Sequence, residues 1–177
     1  MAVPRLDAER TAVLIVDVQE KLLPVIDGAD QLVAQVGKLL DGADALELPV
    51  LVTEQYPKGL GATTPVLAER MTRVSCKPEK VKFSSFVEPV RDELARLGAR
   101  SVVVAGIEAH VCVLQTCLDL LDGGYTAAVA VDAIASRRPM EKDAAVQRMV
   151  QAGVVPTTVE SMLLEIVREA GSERFKA

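Results

Sequence analysis

The stretch Thr11-Ala12-Val13-Leu14-Ile15-Val16-Asp17 decides the fold. This apolar run has no polar alternation, which is typical of a strand that is covered on both faces. Such a strand belongs at the centre of a parallel sheet, and here it ends at a carboxylate. Three further apolar runs without polar alternation are Pro49–Thr53, Ser101–Ala105 and Thr126–Val131. Shorter strands are predicted near Val74 and at 154–155.

Amphipathic segments separate these runs, with apolar residues at helical spacing. Predicted helices cover about 32–43, 90–97, 112–122 and 141–152. Thr157 and Glu160 have the spacing of a capping box, which predicts a last helix that runs to about Ala170. Strands that alternate with helices favour right-handed crossovers between parallel strands. We therefore predict an α/β fold, a three-layer α/β/α sandwich with a mainly parallel, Rossmann-like central sheet, in one domain over residues 1–177.

Composition narrows the classes of function. Of 177 residues, half are hydrophobic and a quarter charged, and the net charge of -5 offers no basic surface for nucleic acid. The N-terminus lacks the apolar core of a signal peptide, and no apolar stretch is long enough to span a membrane. Three cysteines without a CxxC pair indicate a reducing compartment. We expect a cytoplasmic protein with a small-molecule substrate and no nucleic-acid or membrane partner.

Cys112 is the candidate nucleophile. It is predicted at the first turn of a helix, where free amides and the helix dipole stabilise a thiolate, although a buried structural thiol is the commoner role for a cysteine. Asp17 could take the thiol proton, or could be a turn or capping residue. Lys82 could supply a cation, or could be a solvated charge. Cys117 is expected in the core, and Cys76 fits either role.

Three blocks carry a resemblance to a known family, and they are listed here in chain order: Ala12–Gln19, Lys80–Phe86 and Gly106–Val113. Their order and spacing resemble the isochorismatase-like cysteine hydrolases, in particular the uncharacterised isochorismatase-domain branch. The resemblance implies a triad of Asp17, Lys82 and Cys112 that hydrolyses a small amide-type substrate through a thioester. It also implies a cis peptide before Glu108, with the backbone N–H groups of Glu108 and Cys112 facing the substrate oxygen. Members of this family are usually homo-oligomers.

Six residues at strand ends are candidates for substrate binding, although each could equally be ordinary packing: Gln19, Gln55, Tyr56, Phe86, Ile107 and Glu108. The nicotinamidases of the family that this chain resembles carry a metal site of one Asp and paired His residues, whereas His110 is the single histidine of this chain. We therefore predict no metal and no cofactor, and for His110 an orienting or packing role in preference to that of general base.

Other functions remain as alternatives. The chain could be a catalytically silent oligomeric scaffold of the same fold, or could have nicotinamidase-type activity without the usual metal site. A redox-sensing thiol protein would need a resolving cysteine close to Cys112, and none is nearby in sequence. A dinucleotide-binding protein would need a glycine-rich loop after the first strand, where this chain has Asp17-Val18-Gln19-Glu20.

Overall fold

The computed structural model of the protein describes residues 4–176. Its centre is a seven-stranded parallel sheet in the order β3-β2-β1-β5-β6-β7, with β4 paired to β2. The predicted three-layer α/β sandwich is confirmed. The strands are β1 (Thr11–Val16), β2 (Val50–Gln55), β3 (Val74–Cys76), β4 (Glu79–Lys80), β5 (Ser101–Ile107), β6 (Thr126–Ala135) and β7 (Val155–Thr157).

Helices cover both faces of the sheet. They are α1 (Ala29–Ala45), α2 (Pro57–Leu60), α3 (Pro65–Ala68), α4 (Glu88–Arg96), α5 (Leu114–Asp122), α6 (Pro139–Ala152), α7 (Val159–Val167) and α8 (Glu173–Lys176). A short 3₁₀ helix spans Leu23–Val25, and one π-helical turn, Ala109–Val113, precedes α5. Helices α1 and α7 pack on one face of the sheet, and α4, α5 and α6 on the other.

The central strand β1 explains why both layers are needed. Its residues alternate between the two faces of the sheet, as the pleat requires. Val13 and Ile15 enter the core beneath α1 and α7, whereas Ala12, Leu14 and Val16 enter the core beneath α4, α5 and α6. All five side chains are completely buried. The unbroken apolar run in the sequence therefore reflects two separate cores that share one strand.

The end of the chain differs from the predicted capping box. Thr158 is the residue that caps α7, and its hydroxyl accepts a hydrogen bond from the Ser161 backbone N–H at 3.2 Å. The helix ends at Val167, because Arg168 leaves the helical conformation with a positive φ of 65°. Thr157 belongs to β7, where strand pairing with β6 takes precedence over the local capping pattern.

The strand order reverses between β1 and β5, and the two strands meet closely there. Gly106 pairs with Val16 and has φ of 115°. A Cβ atom on Gly106 would overlap the Val16 carbonyl oxygen and lie 2.7 Å from the Val16 nitrogen. Only glycine permits this approach of the two backbones. The carboxyl ends of β1 and β5 therefore form the crevice in which open α/β sheets bind ligands.

Replacing Gly106 by alanine tests this close approach. We expect Gly106→Ala to lower the free energy of unfolding by about 3 kcal/mol or more, because a steric overlap adds to a strained backbone. Gly124→Ala is the matched control: Gly124 also has a positive φ, 82°, but nothing lies within 4 Å of the added Cβ. We expect about 1 kcal/mol there. Urea unfolding of both variants measures the difference, and equal losses would contradict the explanation.

Candidate active site

A buried ion pair lies at the centre of the crevice. Asp17 follows β1 with φ of 52° and is completely buried. Its Oδ2 lies 2.6 Å from the Nζ of Lys80, whose side chain is 1% exposed. Lys80 is the last residue of β4, which pairs with β2 beside β1. Each of these two buried charges is therefore balanced by the other. Either charge alone would be costly to bury.

The lysine beside Asp17 is Lys80, and the prediction of Lys82 for this position is wrong. The Lys82 side chain is exposed, and only its backbone carbonyl takes part in the site. Besides Asp17, the Lys80 ammonium donates to Gln55 Oε1 at 2.8 Å, to the Phe83 carbonyl at 2.9 Å and to the Lys82 carbonyl at 3.1 Å. Four acceptors share three N–H donors, so Lys80 is a fixed cation without a free donor.

Cys112 reaches the same crevice from β5. The chain leaves β5 through a cis peptide between Ile107 and Glu108, as the resemblance implies, and continues into the π-helical turn that contains Cys112. The cysteine is 7% exposed. Asp17, Lys80 and the backbone N–H of Glu108 lie close enough to the Cys112 sulfur to shift the pKa of its thiol. Cys112, Asp17 and Lys80 therefore form one buried cluster.

The surroundings of Cys112 favour its neutral thiol form. Burial, followed by the negative charge of Asp17, raises the pKa of Cys112 to about 12, whereas Lys80 and the Glu108 amide act in the opposite direction. Burial and Asp17 therefore oppose the thiolate predicted at the helix start, and the nearby amide group and Lys80 favour it. Burial also raises the pKa of Asp17, while Lys80, Thr53 and the Cys112 thiol lower it. Attack by this cysteine therefore requires a base.

Three buried hydroxyls that the sequence did not single out surround the cluster. Thr53 on β2 donates to Asp17 Oδ1 at 2.8 Å and also lies 2.8 Å from the Ser85 hydroxyl. The Ser85 backbone N–H donates to Thr116 Oγ1 at 2.8 Å, and the Thr116 hydroxyl donates to the Cys112 carbonyl at 2.6 Å. Threonine and serine are common in strands and loops, so no local pattern marks these residues.

The two glutamine candidates make structural contacts. The Gln19 side chain is fully buried; its Oε1 accepts from the Gln55 backbone N–H at 2.7 Å, and its Nε2 donates to the Gln55 and Gly61 carbonyls. Gln55 Oε1 holds Lys80, and its Nε2 donates to the Val81 carbonyl at 2.9 Å. Gln19 therefore braces the loop after β2, and Gln55 fixes the lysine.

The other four candidates lie in different surroundings. Tyr56 is 55% exposed at the start of α2. Phe86 packs edge-to-face against Tyr125, with ring centroids 5.7 Å apart, and Ile107 is completely buried in the core beneath α1 and α7. The Glu108 carboxylate pairs with Arg137 at 2.7 Å, which lowers the pKa of Glu108. Its backbone N–H faces the thiol, so Glu108 and Tyr56 remain candidates for substrate contact.

His110 has its side-chain contacts outside the cluster of Asp17, Lys80 and Cys112. Its Nδ1 is 2.9 Å from the Ser136 hydroxyl, and its Nε2 is 3.6 Å from Glu141. Among residues 4–176, Glu108, His110 and Glu141 form the one group of potential metal ligands. Both carboxylate oxygens of Glu108 already accept from Arg137, however, so this carboxylate is neutralised by a guanidinium. The contacts of His110 agree with an orienting role.

The two remaining cysteines lie away from this cluster. Cys117 is completely buried in the core beneath α4, α5 and α6, as predicted. Cys76 lies on β3 at the edge of the sheet, and its sulfur is 3.6 Å from the Pro89 carbonyl.

Within residues 4–176, no helix has the length and apolar character to cross a membrane.

The ion pair predicts a strong difference between the two lysines. In Lys80→Ala the Asp17 carboxylate stays buried without its cation, so we expect a loss of about 3–5 kcal/mol of stability at pH 7. The unfolded carboxyl has a pKa of about 3.9, and the folded pKa lies above it. The loss should therefore be small near pH 4 and grow as the pH rises through the folded pKa.

Lys82→Ala is the matched control, because it removes an exposed side chain and keeps the carbonyl that Lys80 contacts. We expect a change within about 0.5 kcal/mol at both pH values. Urea unfolding at pH 4 and pH 7 makes the comparison. A Lys82→Ala loss as large as that of Lys80→Ala would contradict the assignment.

Comparisons with known proteins identify the family of this chain. Residues 11–161 match the family described as the isochorismatase domain. Isochorismatase domain-containing protein 2B of Mus musculus is 40% identical over 97% of this chain and 80% of that protein. The MAR1 ribonuclease of Caenorhabditis elegans has a TM-score of 0.94 and 39% identity over 98% of this chain and 89% of that one. The YcaC gene product of Escherichia coli, an octameric hydrolase of unknown specificity, has a TM-score of 0.87 and 26% identity over 96% of this chain and 85% of that one. The chain belongs to the isochorismatase-like hydrolase family.

Proposed function

We propose that the protein is a cysteine hydrolase of small amide-type substrates, in which Cys112 is the nucleophile, Asp17 the general base and acid, and Lys80 the fixed cation. The observation that carries this proposal is the buried pair of Asp17 and Lys80, 2.6 Å apart, close enough to the buried Cys112 to shift its pKa. A thiol with a pKa of about 12 is almost entirely protonated at neutral pH and is a poor nucleophile by itself. Asp17 supplies the missing base in the required position.

The first half of the reaction forms the thioester. The Cys112 sulfur gives its proton to Asp17 and bonds to the carbonyl carbon, while the carbonyl π electrons move onto oxygen. We propose that the backbone N–H groups of Glu108 and Cys112 donate to that oxygen, as the family resemblance implies. The C–N bond then breaks, and Asp17 returns its proton to the departing amine. During the transfer, Lys80 keeps the total charge of the cluster balanced.

The second half uses the same groups in reverse. Asp17, now ionised again, takes a proton from water, and the resulting hydroxide attacks the thioester carbonyl. The carbon–sulfur bond breaks, the acid leaves, and the proton held by Asp17 goes back to the Cys112 sulfur. One carboxylate thus serves as base and acid in both halves, which suits a site with a single buried acid next to the thiol.

The surroundings of Cys112 favour a small and neutral substrate. The cysteine is 7% exposed, so only a slender group reaches its sulfur. The Lys80 ammonium has no free donor for a substrate carboxylate. Arg137, an exposed cation next to Glu108, is paired with the Glu108 carboxylate. An amide carbonyl that needs only backbone donors fits this arrangement better than an anionic substrate.

A second candidate function is RNA cleavage. It is favoured by the 39% identity with the C. elegans MAR1 ribonuclease. The net charge of -5 argues against it, because binding to phosphates depends on lysine and arginine. The discriminating assay compares cleavage of a labelled RNA by the wild-type protein and by Cys112→Ala. Cleavage that requires Cys112 would replace the amidase proposal, and cleavage that survives the substitution would come from a contaminant.

Association into a homo-oligomer is proposed as well. The E. coli relative is an octamer. Three apolar side chains around the Lys80 loop are exposed here, namely Val81, Phe83 and Tyr56. Exposed apolar groups of this kind mark contact surfaces. We expect light scattering to give a mass that is a multiple of 18.9 kDa, and Val81→Lys to reduce it. A monomeric wild-type protein would contradict this expectation.

Asp17→Asn separates the two roles of Asp17. Removing the carboxylate removes a negative charge that raises the pKa of Cys112, so we expect this thiol to titrate below its original value of about 12. Cys112 should then lose the assisted reaction near neutral pH but still react with iodoacetamide at alkaline pH through its thiolate, since alkylation needs no returned proton. Amide hydrolysis needs both proton transfers and should fall by about 10²–10⁴-fold.

Both quantities come from the same protein samples. Peptide mass spectrometry measures alkylation of each cysteine against pH, with Cys76 as an internal control that lies outside the cluster. A panel of small neutral amides is screened for ammonia or amine release and for a thioester adduct on Cys112. Undiminished turnover in Asp17→Asn, or an adduct on a different residue, would refute the proposed roles.

A further inference from the structure

The hydrogen bonds around Asp17 have a fixed direction. Asp17 Oδ1 can only accept, so the single hydroxyl proton of Thr53 is directed at the carboxylate. The contact of 2.8 Å between the Thr53 and Ser85 hydroxyls then requires Ser85 to be the donor. Two hydroxyls therefore point in sequence toward the carboxylate. Both side chains are completely buried, so water does not compete for these donors.

The same network continues to the nucleophile. The Ser85 backbone N–H donates to Thr116 Oγ1, and the Thr116 hydroxyl donates to the carbonyl of Cys112. Thr116 is also completely buried. The three residues come from β2, from the loop after β4 and from α5, so the network joins the elements that hold the base and the nucleophile. Buried, fully satisfied networks of this kind hold their members in one arrangement.

We propose that Thr53 and Ser85 are positioning residues of the hydrolase, which hold the Asp17 carboxylate ionised and oriented toward Cys112 through a one-way chain of hydroxyl hydrogen bonds. This inference rests on the proposed function, because it concerns the base of that reaction. Lys80 occupies Oδ2 and Thr53 occupies Oδ1, so each oxygen of Asp17 has a donor of its own. Hydrogen bonds to a charged group are roughly twice as strong as those between neutral groups.

The other charged groups nearby are directed elsewhere. The titratable groups that act on Asp17 are Lys80 from β4 and the Cys112 thiol from the turn before α5. Glu54, the neighbour of Thr53 on β2, accepts from Thr63 and pairs with Lys77 at 2.8 Å. Glu108 pairs with Arg137. Thr53 is therefore the principal neutral donor to the carboxylate.

The test is the pH dependence of Cys112 alkylation by iodoacetamide, measured by peptide mass spectrometry. In the wild type, the rate should rise as Asp17 loses its proton and then reach a plateau, because the ionised carboxylate assists loss of the thiol proton. Thr53→Val removes the donor and keeps the shape of the side chain. Losing a donor to the carboxylate raises its pKa, so the midpoint of the rise should move upward by about one pH unit.

Matched variants separate positioning from structure. Thr53→Ser keeps the hydroxyl and should restore the wild-type midpoint. Ser85→Ala removes the second donor and should shift the midpoint in the same direction by less, which keeps the test available if Thr53→Val fails to fold. Thr11→Val removes a buried hydroxyl at the start of β1, where it accepts from the Asp7 backbone N–H, and should leave the midpoint unchanged.

The outcomes distinguish this inference from the proposed function. A wild-type profile without the acid rise, or one that Asp17→Asn leaves unchanged, would overturn both. A rise that is abolished in Asp17→Asn, together with unmoved midpoints in Thr53→Val and Ser85→Ala, would overturn only the positioning role. Lower melting temperatures with unmoved midpoints would count as the same negative result, since a purely structural hydroxyl predicts them.

Discussion

The buried ion pair between Asp17 and Lys80 is the constraint on which the rest of the site depends. Two charges with almost no exposure are costly to hold in a protein, and their mutual attraction rarely repays more than that cost. The pair therefore requires complete satisfaction, and the chain provides it. Gln55 and two backbone carbonyls surround the ammonium, and Thr53 takes the free carboxylate oxygen. Since such a pair adds little net stability, its presence fits the proposed chemical role better than a purely structural one.

The same pair controls where the proton of the cysteine lies. Asp17 alone, as a neighbouring negative charge, makes ionisation of Cys112 harder, whereas Lys80 makes it easier. With both present, the proton can move from sulfur to carboxylate without creating a net charge in the buried cluster, because one anion replaces another beside the same cation. A site built around a free thiolate would have no such acceptor, and it would have no acid to protonate a departing amine.

Much of the fold follows from the sequence, because buried parallel strands leave an unmistakable apolar run and the helices between them leave a stripe. The ends of the strands, and hence the positions of Asp17 and Cys112 at one edge of the sheet, can also be predicted from the sequence. The choice between Lys80 and Lys82 cannot. The two lysines are two residues apart, so in an extended strand both would point to the same side. Only the end of β4 at Lys80, and the turn after it, sends one side chain into the crevice and leaves the other in solvent. The turn after β4 is fixed in part by the Lys80 ammonium, which binds the carbonyls of Lys82 and Phe83, so it cannot be predicted from local sequence.

The hydroxyl network is still harder to predict from local sequence patterns, because its hydrogen bonds join residues of different elements. Thr53 is ordinary in a strand, Ser85 in a loop and Thr116 in a helix, and none of them is unusual until the sheet brings Asp17 beside Thr53 and α5 beside the loop. A network that begins at the carboxylate and ends at the carbonyl of Cys112 ties the position of the proposed base to that of the proposed nucleophile. A shift of α5 would therefore disturb the donors to Asp17 as well as move the sulfur. Proton transfer is sensitive to the distance between the Asp17 carboxylate and the Cys112 sulfur. A shared network keeps this distance constant, as the proposed reaction requires.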